Sequence, residues 1–445
     1  MNGTLDTKIW AIAWPAILAN ISIPLLGLVD AALLGHLDSS THLAAVAIGG
    51  AVLSFLYWGF SFLRMGTTGQ VARAVGAGDE ARALLALGRA AVLALSIACL
   101  LLLLQTPLLS LGFAAMNPQT LVRETAENYA TLRLYSAPAV LLTYTVVGWF
   151  IGHQDTRWPM RIVIVTNLAN IALDAFFILG LDMASTGAAV ATVIAEYLGL
   201  AMALFALRSR LVLRPGADFW IALRKTAPYL RLLQSNFHLF MRTLTLLFAF
   251  AFFTAAGEKL GADVVAANAV MMQFLLFAAF ALDGFAYAAE GLAGEALGAG
   301  DRIRFREVSI RCSLWSAGAA LLISAVILLA RPWLFPLLTD LPGVLSVMQA
   351  QGIWLVLLPI VAAPSYLLDG LFIGAGATRA MMLTMLFSAV VVYLPSWYLF
   401  MGLGNHGLWL AFTLFNGARG VTLALSYRYL SRQNRWFCLS SDQQG

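Results

Sequence analysis

A short stretch of this chain recurs 222 residues further along. Val75-Gly76-Ala77-Gly78-Asp79 returns as Leu297-Gly298-Ala299-Gly300-Asp301, and Phe150-Ile151-Gly152 returns at the same offset as Phe372-Ile373-Gly374. A repeat of fixed period has to be recognised before any other pattern, because it determines the fold. Two separate motifs that keep one offset predict that the chain consists of two copies of one module.

The composition indicates that lipid covers most of this chain. Hydrophobic residues make up 61% of the sequence and charged residues only 11%, against about 25% charged residues in an average soluble domain. A soluble protein of 445 residues would need a charged surface that this sequence does not supply. We therefore predict an all-α, multi-pass membrane protein.

Apolar segments long enough to cross about 30 Å of hydrocarbon follow one another with short connectors. They predict two pseudo-symmetric six-helix bundles, an N-terminal lobe over 1–208 and a C-terminal lobe over 225–445, joined by a cytoplasmic linker over 209–224. The twelve predicted spans are 8–36, 43–70, 83–112, 121–152, 158–181, 186–208, 225–257, 263–293, 305–338, 345–374, 380–403 and 406–430.

Lys and Arg are distributed unevenly between the two sets of connectors. Nineteen lie on the side of the termini, whereas the opposite side holds Arg123, Arg133, Lys259 and Arg331. The positive-inside rule therefore predicts that both termini are cytoplasmic. This topology, together with contact to an anionic leaflet, explains the net charge of +5, and we expect no nucleic-acid partner.

Ionisable side chains within a span are costly and commonly mark an ion pathway or a paired site. In the N-terminal lobe, Asn167, Asn170 and Asp174 follow i, i+3, i+7 spacing and share one helix face. Counted at 1.5 Å per residue, Asp30, Asp174 and Thr192 lie at about the same depth, roughly 10 Å below the outer surface. The predicted site therefore contains Asp30, Asn167, Asn170, Asp174 and Thr192, with Glu196 deeper.

The predicted cluster contains carboxyl groups and no base, since Arg133 is expected at the membrane interface. Two carboxyl groups in a medium of low dielectric resist simultaneous ionisation, so at least one can bind and release a proton. This property is what proton coupling requires. The alternative is that Asp30 and Asp174 stay neutral and only form hydrogen bonds with their neighbours.

Two other features of the spans have a structural and a functional interpretation. Arg242, Asp283 and Asp369 form a predicted charge cluster in the C-terminal lobe, and we interpret it as ion pairing, with a second coupling site as the alternative. Pro24 and Gly27 interrupt helix 1 shortly before Asp30. Because an interior proline removes one helical hydrogen bond, this region is either a static kink or a hinge that responds to protonation of Asp30.

Motifs of enzymes and metal proteins are missing from the sequence. The glycine-rich repeat motif follows no strand and precedes no GK[ST], so we interpret both copies as helix-end turns. The five histidines show no metal spacing, and there is no nucleophile elbow or Walker A motif. We expect no enzymatic activity, no metal and no cofactor, with an ion gradient as the energy source.

Several of these stretches resemble the multidrug and toxic compound extrusion (MATE) family, in its DinF-like branch. They are Pro24–Asp30 with Gly35-His36-Leu37, Leu63–Gly69, Leu368–Ala375, and the set Asn170, Asp174 and Thr192. The resemblance implies a protein of the bacterial inner membrane with twelve spans in two bundles. It also implies export of amphipathic, often cationic compounds driven by H⁺ or Na⁺. It also implies a coupling site at Asp30, Asn170, Asp174 and Thr192.

The chain departs from the NorM-like branch in its C-terminal lobe. The residue that matches Asp369 belongs to a cation site proposed for that branch, which also uses a helix 7 glutamate; here helix 7 offers Arg242. This difference disfavours a Na⁺ site in that lobe.

We therefore expect a monomeric, proton-coupled antiporter that exports small amphipathic or cationic drugs by alternating access. Na⁺ coupling at the same cluster, or a lipid-linked precursor flippase of the same superfamily, remain alternatives.

The predicted site residues are not repeated. Shifted by 222, Asn170 falls on Val392, Asp174 on Ser396 and Thr192 on Leu414. The scaffold is duplicated and the charges are not, so we expect one lobe to sense the ion.

Overall fold

The computed structural model describes residues 2–35, 40–116, 120–211 and 216–436. Within these ranges the chain is helical and contains no strand. The helices of the first half are α1 (Asn2–Gly35), α2 (Ser40–Gly59), α3 (Phe62–Gly76), α4 (Glu80–Leu103), α5 (Gln105–Met116), α6 (Thr120–Leu134), α7 (Ala137–Gly152), α8 (Arg157–Asp174), α9 (Ala184–Arg210) and α10 (Ala217–Leu223).

The second half continues with the same type of structure. Its helices are α11 (Ala227–Glu258), α12 (Ala262–Gly298), α13 (Arg302–Leu338), α14 (Pro342–Ala375), α15 (Thr378–Phe387), α16 (Leu394–Phe400) and α17 (Asn405–Arg432). Two π-helical segments, Ala175–Gly180 and Ser388–Tyr393, continue α8 and α15, and a short 3₁₀ segment, Met401–Leu403, follows α16.

Each predicted span coincides with one helix, or with two or more consecutive helices, of the described residues. Ten helical stretches between Thr41 and Arg432 are long and apolar enough to cross a membrane, and an eleventh is the pair Val122–Leu134 and Ala137–Gly152, bent by 50°. The first predicted span lies in α1. The predicted all-α membrane fold is therefore confirmed. The orientation of the termini stays a prediction.

Some helices are interrupted where the sequence predicted continuous spans. The second predicted span is divided between α2 and α3, whose connection is held by turn hydrogen bonds from Phe60 N to Tyr57 O and from Leu63 N to Phe60 O. The fourth is divided at Tyr135 and Ser136 between α6 and α7. No residue pattern in the sequence indicated these two breaks.

The helices form two compact units. Unit 1 contains Met1–Ile17, Ala72–Gly78 and Arg231–Gly445, and unit 2 contains Leu18–Val71 and Asp79–Leu230. Unit 1 has an aromatic core in which Phe253, Tyr393, Trp409, Phe412 and Phe415 are buried. The lobes predicted along the chain, 1–208 and 225–445, stay a prediction. The predicted linker contains α10 and, at 212–215, residues outside the described ranges.

Local geometry repeats at the offset of 222. Asp79 and Asp301 cap α4 and α13, and the side chain of each accepts a hydrogen bond from a backbone N–H three residues later, at 2.8 Å. The preceding Gly78 and Gly300 have φ of +71° and +72°, a conformation that favours glycine. The repeat motif is therefore a helix-end turn with its own cap in both modules.

Within unit 1, the end of α3 from the first module packs against the end of α12 from the second module. A Cβ on Gly76 would overlap the backbone of Glu295, and a Cβ on Gly298 would overlap the backbone of Arg73. Glu295 is the repeat equivalent of Arg73, so the two contacts exchange under the 222-residue offset. Glycine at both positions is required because backbone meets backbone.

We expect Gly298→Ala to destabilise the protein. The added Cβ meets backbone atoms of Arg73, which cannot turn away, so overpacking should cost about 3 kcal/mol. Thermal unfolding of the purified protein in detergent measures the change. Gly318→Ala is the matched control, because nothing lies within 4 Å of its Cβ position. Equal melting temperatures for the two variants would contradict the packing as described.

Candidate functional site

A buried hydrogen-bond network lies between α8 and α9 in unit 2. Asn170 Nδ2 donates to Asp174 Oδ2 at 2.8 Å and to Thr192 Oγ1 at 3.3 Å. Thr192 Oγ1 donates in turn to the carbonyl of Ala188 at 2.9 Å. The three side chains are 0%, 1% and 5% exposed. Three of the residues predicted to form one site are therefore in direct contact, and we name Asn170, Asp174 and Thr192 the acidic network.

The side-chain amide of Asn170 has one hydrogen-bond acceptor that the described contacts do not use. Both hydrogens of Nδ2 are donated, whereas Oδ1 is buried and has no hydrogen-bond partner within the described part of the chain. A buried acceptor without a donor costs free energy. The network can therefore accept one more donor, such as an acid proton, or a cation.

The helix that carries Asp174 changes its winding at that residue. Asp174 is the last residue of α8, and the π-helical segment Ala175–Gly180 follows directly. π-Helical turns are rare and occur frequently at functional sites. The π segment of the second half, Ser388–Tyr393, does not lie at the equivalent position. The change in winding at Asp174 belongs to the first module, and the sequence pattern did not reveal it.

Asn167 connects α8 to helix 1. Its Nδ2 lies 3.2 Å from both the carbonyl oxygen and Oγ of Ser22, and Ser22 Oγ donates to the carbonyl of Ala19 at 2.7 Å. Ser22 precedes Pro24 by two residues. The predicted site therefore reaches helix 1 beside the proline, through Asn167 and not through the acidic network itself.

The predicted hinge lies in an uninterrupted helix. α1 runs through Pro24 and Gly27 without a break, and Gly27 is exposed, with no described atom from outside its own stretch of helix within 4 Å of its Cβ position. Asp30 lies in the same helix, but its side chain lies outside the described part of the structure. The roles of Asp30, Pro24 and Gly27 stay predictions.

Glu196 belongs to different surroundings from those predicted. It lies on α9 within electrostatic reach of Arg133 on α6, so Arg133 is a base close to a predicted site residue. Tyr57 Oη lies 3.3 Å from Ser136 Oγ, next to the same pair of charges. The sequence predicted Arg133 at the membrane interface, and the structure has its charge within electrostatic reach of Glu196; the role of Glu196 in coupling stays a prediction. Sequence depth could not show this proximity, because Arg133 precedes the bend between α6 and α7.

The C-terminal charge cluster is a double ion pair in unit 1. Asp369 Oδ2 accepts hydrogen bonds from Arg242 Nη2 and from Arg419 Nη2, the latter at 2.9 Å. Arg419 also donates to Asn416 Oδ1 at 3.0 Å, and its guanidinium lies 5.6 Å from the centre of the Phe415 ring. All three charged side chains are buried. The cluster therefore holds its charges in fixed pairs.

Two further observations complete this cluster. Asp283 is half-buried and, like the three paired charges, lies within electrostatic reach of Tyr366. Arg419 is the member that the predicted cluster did not contain. Its position in an apolar span, three residues after Asn416, was the available signal.

In the residues that the structure describes, no three His, Cys, Asp or Glu side chains are grouped so as to hold a metal ion. The expectation that the protein needs no metal and no cofactor stays a prediction.

Comparison with known proteins identifies the family. The MatE family model matches residues 15–176 and 239–399. DNA damage-inducible protein F of Escherichia coli (strain K12) is 40% identical over 437 residues, which are 97% of this chain and 94% of that protein. The chain belongs to the MATE family. The resemblance seen in the sequence, including the DinF-like branch, is thereby confirmed.

Two other proteins found by the comparisons are less similar in sequence. The probable multidrug resistance protein NorM of Thermotoga maritima is 28% identical over 193 residues, 42% of this chain and 41% of that protein. The crystal structure of the Vibrio cholerae MATE transporter VcmN in the bent form has a TM-score of 0.83 at 23% identity, covering 98% of this chain and 99% of that chain. This structural likeness confirms the fold.

Membership of the MATE family decides several expectations. The protein is a transporter of small drug-like compounds and not an enzyme. It is a multi-pass protein of the inner membrane.

Proposed function

We propose that this MATE transporter exports small amphipathic or cationic compounds in exchange for protons, which bind at the acidic network. The observation that supports this proposal is a buried carboxyl group, Asp174, which accepts a hydrogen bond from Asn170, and Asn170 is held in turn by Thr192. A carboxyl group in such surroundings can exchange a proton at low cost to the rest of the fold, because hydrogen bonds are available to it in both states.

Asn170 can serve both protonation states of Asp174. With Asp174 ionised, the amide Nδ2 donates to the carboxylate, as the 2.8 Å contact has it. With Asp174 protonated, rotation of the amide by half a turn presents Oδ1 as acceptor for the acid proton. Thr192 Oγ1 can then turn its hydrogen from the Ala188 carbonyl to the amide oxygen. Protonation thus rearranges the contact between α8 and α9 without leaving Oδ1 unsatisfied.

Helix 1 is the element through which this rearrangement would spread. Asn167 lies two turns before Asp174 on α8 and holds the backbone of Ser22. Pro24 lacks an N–H, so helix 1 has one helical hydrogen bond fewer at this point and bends at lower cost. We assign Asp30 as the second carboxyl group of the site. Proton binding would favour outward release of cargo, and proton loss to the cytoplasm would favour reloading.

Na⁺ is the alternative coupling ion at the same place. The Asp174 carboxylate, the free Asn170 Oδ1 and the Thr192 hydroxyl are oxygen ligands of the kind that hard cations prefer. In the C-terminal lobe the charges of Arg242 and Arg419 are held on Asp369. This pairing disfavours a cation site there. Because both arginines are already bonded to Asp369, it also disfavours a flippase, which would need free bases to bind the pyrophosphate of a lipid-linked precursor.

Transport by the purified protein in liposomes tests the proposal. A pH gradient is imposed with Na⁺ replaced by choline inside and outside, and uptake of a fluorescent lipophilic cation is followed. We expect uptake that depends on the gradient and is abolished by a protonophore. Uptake only after addition of Na⁺ would replace H⁺ by Na⁺ in the proposal, and absence of uptake under both gradients would overturn ion-coupled drug export.

A further inference from the structure

One face of the short helix α10 (Ala217–Leu223) packs against α4, and both helices belong to unit 2. The Cβ position of Gly88 on α4 lies 2.8 Å from the ring of Phe219 and 3.2 Å from the side chain of Leu223. Arg89 Nη2 donates to the carbonyl of Ala222 at 3.4 Å, in the last turn, where the helix dipole favours a positive charge. The helix is therefore fixed on α4.

The opposite face of α10 is apolar and exposed. Trp220 and Ile221 are 55% and 62% exposed. Arg224 follows Trp220 by four residues, so it continues the same face. A tryptophan beside bases at the end of a membrane span is typical of segments that lie at the interface between hydrocarbon and headgroups.

The ends of the two spans that flank α10 add positive charge. Arg208 lies in the last turn of α9, and Arg224 and Lys225 precede α11; all three are exposed and form no ion pair within the described ranges. The neighbouring Arg210 is paired with Asp155 at 3.3 Å. Asp218 is the acidic residue of α10 itself. The chain on either side of α10 thus carries three exposed bases, and α10 itself exposes Trp220.

We propose that α10 is a docking element for anionic phospholipid. Trp220 and Ile221 enter the headgroup region of the adjacent leaflet, and Arg208, Arg224 and Lys225 bind the phosphate groups; we name these five residues the α10 patch. The occupant is lipid and not a soluble protein, because the patch combines apolar side chains with bases at the ends of two spans, where the bilayer itself lies. The inference does not depend on the coupling ion.

Native mass spectrometry of the detergent-solubilised protein tests the charge part of the proposal. The probes are phosphatidylglycerol and phosphatidylcholine added at equal concentrations. Arg208→Gln/Arg224→Gln/Lys225→Gln should bind phosphatidylglycerol about tenfold more weakly than the native protein, with phosphatidylcholine binding unchanged. The matched control is Arg428→Gln/Arg432→Gln/Arg435→Gln, which removes three exposed bases at the end of α17. Equal losses in both variants, or none in the first, would overturn the proposal.

A depth measurement tests the apolar part independently. A spin label is placed by Ile221→Cys in a background of Cys99→Ser, Cys312→Ala and Cys438→Ser, and the protein is reconstituted in nanodiscs with phosphatidylglycerol. We expect higher accessibility to oxygen and lower accessibility to a water-soluble nickel chelate than for a label at Asp218→Cys. A label at 221 that is equally accessible to the chelate would place α10 in water. A label shielded from both reagents would indicate a protein partner.

Discussion

Replacing Asp174 by Asn is expected to reduce proton-driven export to the level of liposomes without protein. Asparagine has the shape of the aspartate and can keep a hydrogen bond with Asn170, but it cannot bind and release a proton. The fold should therefore persist while the coupling is lost. Uptake of the lipophilic cation under a pH gradient measures the effect, and the melting temperature in detergent shows that the variant is folded.

A matched control for this variant comes from the repeat. Ser396 occupies the position of Asp174 in the second module, so Ser396→Ala should leave transport unchanged. A folded Asp174→Asn variant that exports at the native rate would remove the acidic network from the coupling mechanism. Loss of transport in both variants would indicate a general effect on helix packing.

Replacing Asp369 by Ala is expected to cause the largest loss of stability. Asp369 is the carboxylate that Arg242 and Arg419 share, and all three side chains are buried. Removing one partner of a buried ion pair costs about 3–5 kcal/mol, because a charge is left uncompensated. Two arginines lose their partner here. The change is measured by thermal unfolding and by yield of the monodisperse protein.

A second substitution separates the structural role of Asp369 from a role in coupling. Arg242→Met in the Asp369→Ala background removes one of the two uncompensated charges, so it should restore part of the lost stability. Arg419 retains Asn416 and the ring of Phe415. A single Asp369→Asn variant that melts like the native protein but no longer transports would contradict fixed ion pairing and support a second coupling site.

The fold was predictable because lipid imposes a simple rule on the sequence. Each span must be a long apolar helix, so the spans can be counted along the chain, and the 222-residue repeat divides them into two modules. Helix periodicity also placed Asn170 and Asp174 on one face, and the structure has them in contact. These features depend on local spacing alone, and local spacing is what a sequence contains.

The features that were not predictable depend on how helices turn and bend against each other. The approach of Arg133 to within electrostatic reach of Glu196 depends on how α6 packs before its bend. The participation of Arg419 requires the rotation of α17 toward Asp369. The π segment after Asp174 is a departure from ideal winding that no residue type specifies. The sequence indicated how deep a residue lies along its span, but it did not indicate which neighbouring helix that residue faces.

The contacts at Gly76 and Gly298 bear on why the two modules are joined in one polypeptide. A contact that exchanges when its two halves are swapped is isologous, the kind that two identical subunits make across a two-fold axis. Two copies of one half-length chain could form it, but they would carry the same residue at both copies of every position. Asp174 opposite Ser396, and Asp369 opposite Val147, are combinations that such a homodimer cannot have and a fused chain can. Because the two halves belong to one polypeptide, their residues can differ, so one lobe carries the acidic network and the other carries the buried ion pairs of Asp369.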